Sequence, residues 1–214
     1  MTARGIIHFG FPCITWSRAR KKDNLGPPPL RDDDKFLYGF ENLNERDDKA
    51  VKEGNAMLKI IEGLIELAVL HDVLVILENP ASSRVWKTEE INRLTSRFSH
   101  CWNSTDYCQY GMPWKKPTTF LTFNGPDMKL KRCHGKEGFC SLTKREHVKL
   151  ERKAKDGRYW TKIAEPYPEG LCSNIAKSCI DFLYEKHKTE ISKGVRLHKV
   201  FGNSKTETWE RTDV

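Results

Sequence analysis

The chain has 214 residues, of which 38% are hydrophobic and 31% are charged, and this balance excludes an intrinsically disordered protein. Lys and Arg outnumber Asp and Glu by 37 to 29, and the formal net charge of +8 favours a polyanionic partner. The longest apolar run, within Ile60 to Leu77, is interrupted by two Glu, a His and an Asp, so the sequence predicts no membrane-spanning helix.

The first predicted element is a short buried strand, Ile6 to Phe11, in a run of mostly apolar and β-branched residues. It ends at Pro12 and Cys13, so we expect Cys13 in the loop at the strand's carboxyl end. Residues 14–44 are rich in Pro, Gly, Asp and Arg, which predicts a long irregular segment. Irregular segments of this length are usually functional or disordered.

A helix and a second buried strand follow. Asp47 or Asp48 is expected to cap a helix that ends near His71, because apolar residues recur at helical spacing in this stretch. Val73 to Leu77 predicts a buried strand, which ends at Glu78-Asn79-Pro80. Two such strands with a helix between them form a βαβ unit, which brings the cysteine and the glutamate to one edge of the sheet.

The rest of the chain predicts smaller elements. A helix is expected over Thr88 to Arg97, a strand over Thr118 to Phe123 and a helix over Leu171 to Leu183, with polar residues between the first two. The fold class indicated is α/β. We expect four parts: a core over residues 1–127, a Cys- and His-rich satellite over 128–160, a helix packing on the core over 161–185 and a polar tail over 186–214.

Four motifs carry a resemblance to a known family. They are Phe11-Pro12-Cys13, Glu78-Asn79-Pro80, Gln109-Tyr110-Gly111-Met112-Pro113-Trp114-Lys115-Lys116 and the stretch Pro166 to Ala176. The first three resemble, in the same order, the Pro-Cys, Glu-Asn-Val and Tyr-Gly-Val-Pro-Gln-x-Arg segments of cytosine-5 DNA methyltransferases. The fourth is similar to the family's closing motif. The resemblance implies a partial Rossmann-like, S-adenosylmethionine-dependent methyltransferase fold.

The resemblance implies a role for each of the two paired residues. Carbon 6 of cytosine is a poor electrophile, so a thiolate must add there before carbon 5 can accept a methyl group. This is the role implied for Cys13, and it requires a cysteine with a lowered pKa. A carboxyl with a raised pKa can supply or share a proton at ring nitrogen 3, which is the role implied for Glu78.

The resemblance also implies contacts to the cofactor and to DNA. The residues expected beside S-adenosylmethionine are Pro12, Asn79, Pro80 and Asn174. The residues expected to contact DNA are Arg18, Arg20, Gln109, Lys115 and Lys116. Because the target base must be flipped out of the duplex, residues 14–44 would form the mobile loop beside it.

One part of the family pattern has no counterpart in the sequence. Family members begin with a glycine-rich strand and loop that cradles the methionine part of S-adenosylmethionine, and no Gly-x-Gly run occurs here. A split enzyme whose second chain supplies the cofactor-binding half, a truncated product and a degenerate relative each account for this. The alternative function is therefore an inactive methyltransferase-like DNA-binding protein or a subunit of a split enzyme.

A second candidate site consists of Cys108, Cys133, Cys140 and His147, with six residues between each of the last three. Three thiolates and one imidazole suit a tetrahedral structural zinc ion. The alternative is a set of reduced cysteines scattered in a basic loop, because no tight Cys-x-x-Cys pair is present. With zinc, the chain could also be an interaction module in which the Pro-Cys and Glu-Asn-Pro motifs are coincidental.

Cysteine usage bears on the compartment. The chain has seven cysteines, an odd number, and its first residues show no signal-peptide pattern. We therefore expect a reducing, intracellular location in the cytoplasm or nucleus.

Overall fold

The computed structural model describes the backbone of residues 5–20, 27–192, 198–201 and 207–210, and the side chains up to residue 189 within these ranges. The elements in chain order are β1 (Ile6–Gly10), α1 (Glu45–Leu70), β2 (Leu74–Pro80), α2 (Glu89–Arg97), β3 (His100–Asp106), β4 (Pro117–Phe123), α3 (Trp160–Ile163), α4 (Glu169–Ser192), β5 (His198–Phe201) and β6 (Glu207–Glu210). The described chain is therefore a mixed α/β protein, as its sequence predicts.

Strands β1 to β4 form one mixed sheet with the order β1-β2-β4-β3. β1 and β2 are parallel and α1 connects them, whereas β4 runs antiparallel to both of its neighbours. Gly10 at the end of β1 lies opposite Glu78 of β2. The parallel pair therefore delivers the Pro-Cys loop and Glu78 to the same edge of the sheet, as the sequence predicts. β5 and β6 form a separate two-stranded antiparallel sheet.

Two hydrophobic cores lie on opposite faces of the sheet. Val75 and Leu77 of β2 pack in the core that α1 and α2 cover. Leu74 and Ile76 pack in the core that includes α4 residues such as Leu171. Strands that are buried on both faces are typical interior strands of a layered α/β sheet. Each buried aliphatic side chain contributes about 1.5–3 kcal/mol to stability, so β2 is the best-anchored strand at the candidate site.

The irregular segment before α1 is anchored by a fully buried arginine. Arg31 donates to Thr15 Oγ1 at 3.0 Å, to Asn55 Oδ1 at 2.7 Å and to the Val51 carbonyl at 3.2 Å. Its guanidinium carbon also lies 3.6 Å from the centroid of the Trp16 ring. Burial lowers the pKa of Arg31 to about 10, which keeps the side chain cationic at neutral pH. Arg31 therefore ties the described part of this segment to α1.

The position of β1 differs from the prediction. The sequence predicts a buried strand, but β1 pairs only with β2 in the described sheet, so it is an edge strand. Ile6 and Ile7 are 45% and 38% exposed, although successive strand residues point to opposite faces. The described part of the chain thus leaves both faces of an apolar strand partly uncovered.

Three other elements also differ from the prediction. Asn44 caps α1, since its Oδ1 accepts the Asp47 N–H at 3.0 Å, so neither predicted aspartate is the cap. The polar stretch before Asp106 forms β3, in which the buried Asn103 donates to the Phe120 carbonyl and accepts the Met128 N–H. α4 is longer than predicted at both ends. The Asn44 cap is a local contact of a favoured cap residue, whereas β3 is missed because its pairing with β4 and the hydrogen bonds of Asn103 are tertiary.

No helix among the described residues combines the length and the apolar composition that a membrane span requires.

Candidate active site and candidate metal centre

Cys13 lies in a tight turn that follows β1, and its side chain is partly buried. Its carbonyl accepts the N–H groups of Trp16 at 3.1 Å and Ser17 at 2.7 Å. Thr15, inside the same turn, is held by the buried Arg31. The sulfur is therefore presented by a loop that is fixed by backbone and side-chain hydrogen bonds.

Glu78 is buried near the end of β2, with 9% of its surface exposed. It pairs with Gly10 of β1 on one side and with Phe120 of β4 on the other. The next residue, Asn79, is fully buried, and its Nδ2 donates to the Phe11 carbonyl at 2.8 Å. This amide ties the end of β2 to the exit of β1 and so fixes the position of Glu78 relative to the Cys13 loop.

The electrostatics of the pair differ from the expectation for Cys13. Burial raises the pKa of Glu78, as expected for a carboxyl that holds a proton. Burial also raises the pKa of Cys13, and the Glu78 carboxylate raises it further, while Lys116 opposes both effects. The predicted lowered pKa of the cysteine is therefore wrong for the free chain, which holds Cys13 as a thiol at neutral pH.

Lys116 belongs to this site, although the sequence assigns it to DNA. Its Nζ donates to the carbonyls of Ala164 at 2.8 Å and Glu165 at 3.2 Å. The ammonium also lies 4.6 Å from the centroid of the Tyr107 ring. Burial lowers the pKa of Lys116, while Glu78 and Cys13 raise it, so the three groups share one electrostatic environment.

Tyr167 is a site residue that the sequence does not reveal. Its side chain hydrogen-bonds to Glu78, and this bond favours the ionised form of the carboxyl. Its ring stacks on His8 at 5.8 Å and meets the Phe120 ring at 6.0 Å. Burial and the charge of Glu78 raise the pKa of Tyr167 well above its ordinary value. Tyr167 lies in the stretch Pro166 to Ala176 that resembles the family's closing motif, but that resemblance assigns it no role.

Three of the remaining residues expected at DNA contact other protein groups. Arg18 forms an ion pair with Asp33 at 2.8 Å, and Arg20 lies 3.8 Å from Asp47. Gln109 faces the cysteine cluster, where its Nε2 lies 3.5 Å from the Cys108 sulfur. A phosphate would have to compete with these carboxylates for the two arginines.

The four residues expected beside the cofactor each have a different environment. Pro12 is exposed next to Cys13. The Pro80 carbonyl accepts the indole N–H of Trp86 at 2.9 Å. Asn174, on α4, donates to the Tyr110 hydroxyl at 3.3 Å. Asn79 has a buried Oδ1 without a hydrogen-bond partner among the described residues. Of the four, Asn79 alone offers a buried, unused acceptor next to Glu78.

The second candidate site is assembled as the sequence predicts. Cys108, Cys133, Cys140 and His147 each present one ligand atom, and these four atoms all lie within 4.8 Å of one another. A tetrahedral ion with metal–sulfur bonds of about 2.3 Å holds its sulfurs about 3.8 Å apart, so small inward shifts complete the geometry. The three cysteines are buried and together form a core cluster of their own. These residues could hold a metal ion.

Hydrogen bonds to sulfur prepare two of these cysteines as ligands. Burial raises the pKa of Cys133, but the backbone N–H and the hydroxyl of Ser141 outweigh it and bring the pKa to about 6. Backbone N–H groups of Thr143 and Leu142 act in the same way on Cys140, whose pKa is about 7. Burial raises the pKa of Cys108 to about 12. The cluster therefore holds thiolate character before any ion binds.

A glycine and a buried carboxylate shape the loops that carry these ligands. A Cβ on Gly135 would lie 1.9 Å from the Phe139 carbonyl oxygen, so only glycine fits beside this backbone. The Oδ2 atom of Asp106 accepts the Cys133 N–H at 2.8 Å and the Arg132 side chain at 3.1 Å. These contacts join the satellite region to the end of β3.

The sequence matches no protein-family model, and no curated protein and no solved structure matches it either. The function of the chain is therefore inferred from its two candidate sites.

Proposed function

We propose that this chain is the catalytic module of a DNA cytosine-5 methyltransferase. Cys13 is the nucleophile that adds to carbon 6 of cytosine, and Glu78 is the carboxyl that assists at ring nitrogen 3. The observation that carries the proposal is the convergence of Cys13, Glu78 and Lys116 at the carboxyl ends of two parallel strands, where open α/β sheets usually bind ligands. A nucleophile, a proton donor and a cation are the groups that addition to an aromatic ring requires.

The protonation states support this assignment of roles. A raised pKa keeps Glu78 able to give a proton to nitrogen 3 as the sulfur–carbon bond forms and electrons move into the ring. The Cys13 thiol must give its proton to solvent water before attack, and Lys116 is the cation next to the resulting thiolate. S-adenosylmethionine, when bound, supplies the methyl group. The formal charge of +8 suits a DNA substrate.

We propose that the methyl donor is bound with a second chain, and the open edge of β1 supports this. Apolar side chains on both faces of a strand are typical of an interior strand, yet Ile6 and Ile7 are exposed at the sheet edge. The unpaired edge can accept a β-strand from the partner, and the two partly uncovered faces can accept layers on both sides of that strand. An α/β half with the glycine-rich loop that this sequence lacks would fill both.

The metal in the second site is proposed to be zinc in a structural role. Four protein ligands close a tetrahedral site and leave no position for a substrate, which is typical of structural zinc. In this proposal the ion fixes the loops of residues 128–160 against the end of β3.

Trapping on DNA tests the catalytic proposal directly. An oligonucleotide with 5-azacytosine, whose ring is activated toward addition at carbon 6, should form a covalent adduct at Cys13 that peptide mass spectrometry locates. Cys13→Ser should form none, and Cys101→Ser should behave as the parent chain. Salt-dependent DNA binding without an adduct would replace this proposal with the inactive DNA-binding protein.

A separate experiment tests the second chain. The chain should be co-expressed with a candidate partner that carries a glycine-rich strand and loop, and S-adenosylmethionine binding measured by calorimetry. Binding should require both chains and be lost with Ile7→Lys on β1, whereas Ile180→Lys on the exposed face of α4 should have no effect. Cofactor binding by this chain alone, or self-association through β1, would contradict the proposal.

A further inference from the structure

The backbone of Lys116 is unusual for a lysine. Its φ of 31° is in the left-handed region, which side chains other than glycine rarely adopt. The residue also precedes Pro117, and residues before proline strongly favour extended backbone. Strained residues of this kind persist where the surrounding structure holds them, often at functional sites. The strained backbone of Lys116 therefore indicates that its side chain has a functional role.

The Lys116 ammonium is held by neutral groups. Its hydrogen bonds go to the carbonyls of Ala164 and Glu165, and it lies over the ring of Tyr107. These contacts fix the position of the charge without cancelling it. The nearby carboxylate of Glu165 forms an ion pair with Lys162. The lysine charge is therefore available to the remaining groups of the site.

Those remaining groups are Glu78 from β2 and Cys13 from the loop after β1. Because β4 runs antiparallel to β2 and Thr118 pairs with Pro80, Lys116 lies at the end of β2 that carries Glu78 and faces the Cys13 loop. Lys116 acts electrostatically on both groups, and Glu165, from the segment before α4, adds a weaker opposing effect on Cys13. Burial keeps Glu78 protonated to a higher pH than an exposed carboxyl. The fixed ammonium stabilises a thiolate at Cys13 and opposes the effect of the Glu78 carboxylate on it.

We propose that Lys116 is a positioning residue whose fixed ammonium stabilises the Cys13 thiolate, and that it does not bind a DNA phosphate. The inference rests on the proposed function only in taking Cys13 as the reactive thiol of this site. It goes beyond the motif resemblance, because it assigns the positive charge that stabilises the thiolate to a residue on the segment before β4.

The neighbouring Lys115 offers a matched control. It has the same charge, and its backbone carbonyl accepts the Tyr107 N–H at 2.7 Å. Its ammonium makes no hydrogen bond or ion pair within the part of the chain that the structure describes. Removing the charge at 115 therefore changes the net charge of the protein by the same amount and leaves the site intact.

The test is the pH dependence of alkylation by iodoacetamide at Cys13, quantified by peptide mass spectrometry in the full chain without DNA. The thiolate attacks the methylene carbon, a sulfur–carbon bond forms and iodide leaves, so the rate follows the thiolate fraction. Lys116→Met should raise the pKa of Cys13 and slow alkylation about tenfold at pH 8, the effect of one pKa unit. Lys115→Met should change the rate less than about twofold by the same relation.

Two further variants separate charge from structure. Lys116→Arg keeps the charge and should restore most of the rate. Lys116→Gly relieves the left-handed backbone while removing the charge, so its thermal stability should hold while alkylation at Cys13 falls as in Lys116→Met. The half-buried Cys101, measured in the same digests, should react at the same rate in every variant.

The inference would be overturned if the pH profile of Cys13 alkylation were the same in the parent chain, Lys116→Gly and Lys115→Met. An equal loss of rate at Cys13 and Cys101 would also overturn it, because the effect would then be general unfolding. Failure of the proposed function looks different. In that case Cys13 alkylation depends on Lys116, and 5-azacytosine DNA still forms no adduct.

Discussion

The two cysteine sites are built from different sources of electrostatic stabilisation. At the sheet edge, burial raises the pKa of Cys13, and one lysine side chain opposes it. In the satellite region, backbone N–H groups and the Ser141 hydroxyl lower the pKa of Cys133 to about 6. The first environment keeps a thiol protonated until it is needed, which suits a nucleophile. The second prepares thiolates in advance, which suits metal ligands.

The comparison shows that the ionisation of a cysteine depends on which positively charged or N–H groups lie next to its sulfur. Backbone N–H groups are fixed by the turn that carries the cysteine, so they act whether or not a ligand is present. A lysine charge depends on its own protonation and on neighbouring carboxylates, so its effect changes with pH and occupancy. The pKa of Cys13 therefore responds to the charge of its neighbours. The hydrogen bonds that lower the pKa values of Cys133 and Cys140 are present whether or not a metal ion is bound.

The largest effect should follow from removing one metal ligand. Cys140→Ser leaves three ligands, and we expect loss of stoichiometric zinc and a fall in the free energy of unfolding of about 4 kcal/mol or more. Zinc content by mass spectrometry and denaturant unfolding measure the two effects. Cys101→Ser is the control, since Cys101 lies outside the cluster. If the parent chain is folded and contains no metal, the proposed structural role of a metal ion at this cluster is wrong.

Neutralising Glu78 should stabilise the protein. Because burial raises its pKa above the ordinary 4.5, the folded chain binds the proton more tightly than the unfolded chain. Stability is therefore lost as pH rises through the folded pKa, and Glu78→Gln should avoid this loss. We expect a gain in unfolding free energy at pH 8 that disappears near pH 4.

Chemical denaturation at both pH values measures this gain, with the exposed Glu165→Gln as control. A gain that is equal at pH 4 and pH 8 would mean that ionisation of Glu78 is not its cause.

Removing the Ser141 hydroxyl should weaken metal binding moderately. This hydroxyl donates to the Cys133 sulfur at 3.6 Å and is one of several hydrogen bonds to that atom. Ser141→Ala should reduce zinc affinity about tenfold, as is usual when a partner of a metal ligand is lost. Competition with a chromophoric chelator measures the affinity. Ser104→Ala on β3 should leave it unchanged.

The smallest effect should come from Tyr167→Phe, which removes one hydrogen bond to Glu78. We expect a loss of about 1 kcal/mol in unfolding free energy. The pKa of Glu78 should rise, because the lost bond favours its ionised form, so the carboxylate should oppose the Cys13 thiolate less. Alkylation at Cys13 should then become slightly faster, whereas the exposed Tyr184→Phe should change neither quantity. Slower alkylation in Tyr167→Phe would contradict this account of the site.

The sequence predicts those elements whose signals are local. The βαβ unit follows from apolar periodicity, and the convergence of Cys13 and Glu78 follows from the parallel arrangement of its strands. β3 is missed because its residues are polar and become strand only through pairing with β4 and the hydrogen bonds of Asn103. The exposure of β1 is missed because burial depends on what lies next to a strand.

The site is predicted less completely than the fold. Cys13, Glu78 and the four candidate metal ligands belong to residue types whose chemistry stands out, so the sequence singles them out as candidates. Lys116 and Tyr167 are common residue types that enter the site from distant segments, and no spacing marks them. The pKa of Cys13 is predicted with the wrong sign because burial, a tertiary property, outweighs the lysine.

The buried Arg31 has a consequence for experiments on this protein. It fixes the Cys13 loop through Thr15, and its pKa of about 10 lies well above the neutral range. The scaffold under the sulfur therefore keeps a constant charge while the pH of an assay moves through the acidic and neutral range. Changes in reactivity of the sheet-edge site below about pH 9 can therefore be assigned to its own groups, whereas at higher pH the ionisation of Cys13 overlaps with the release of the loop.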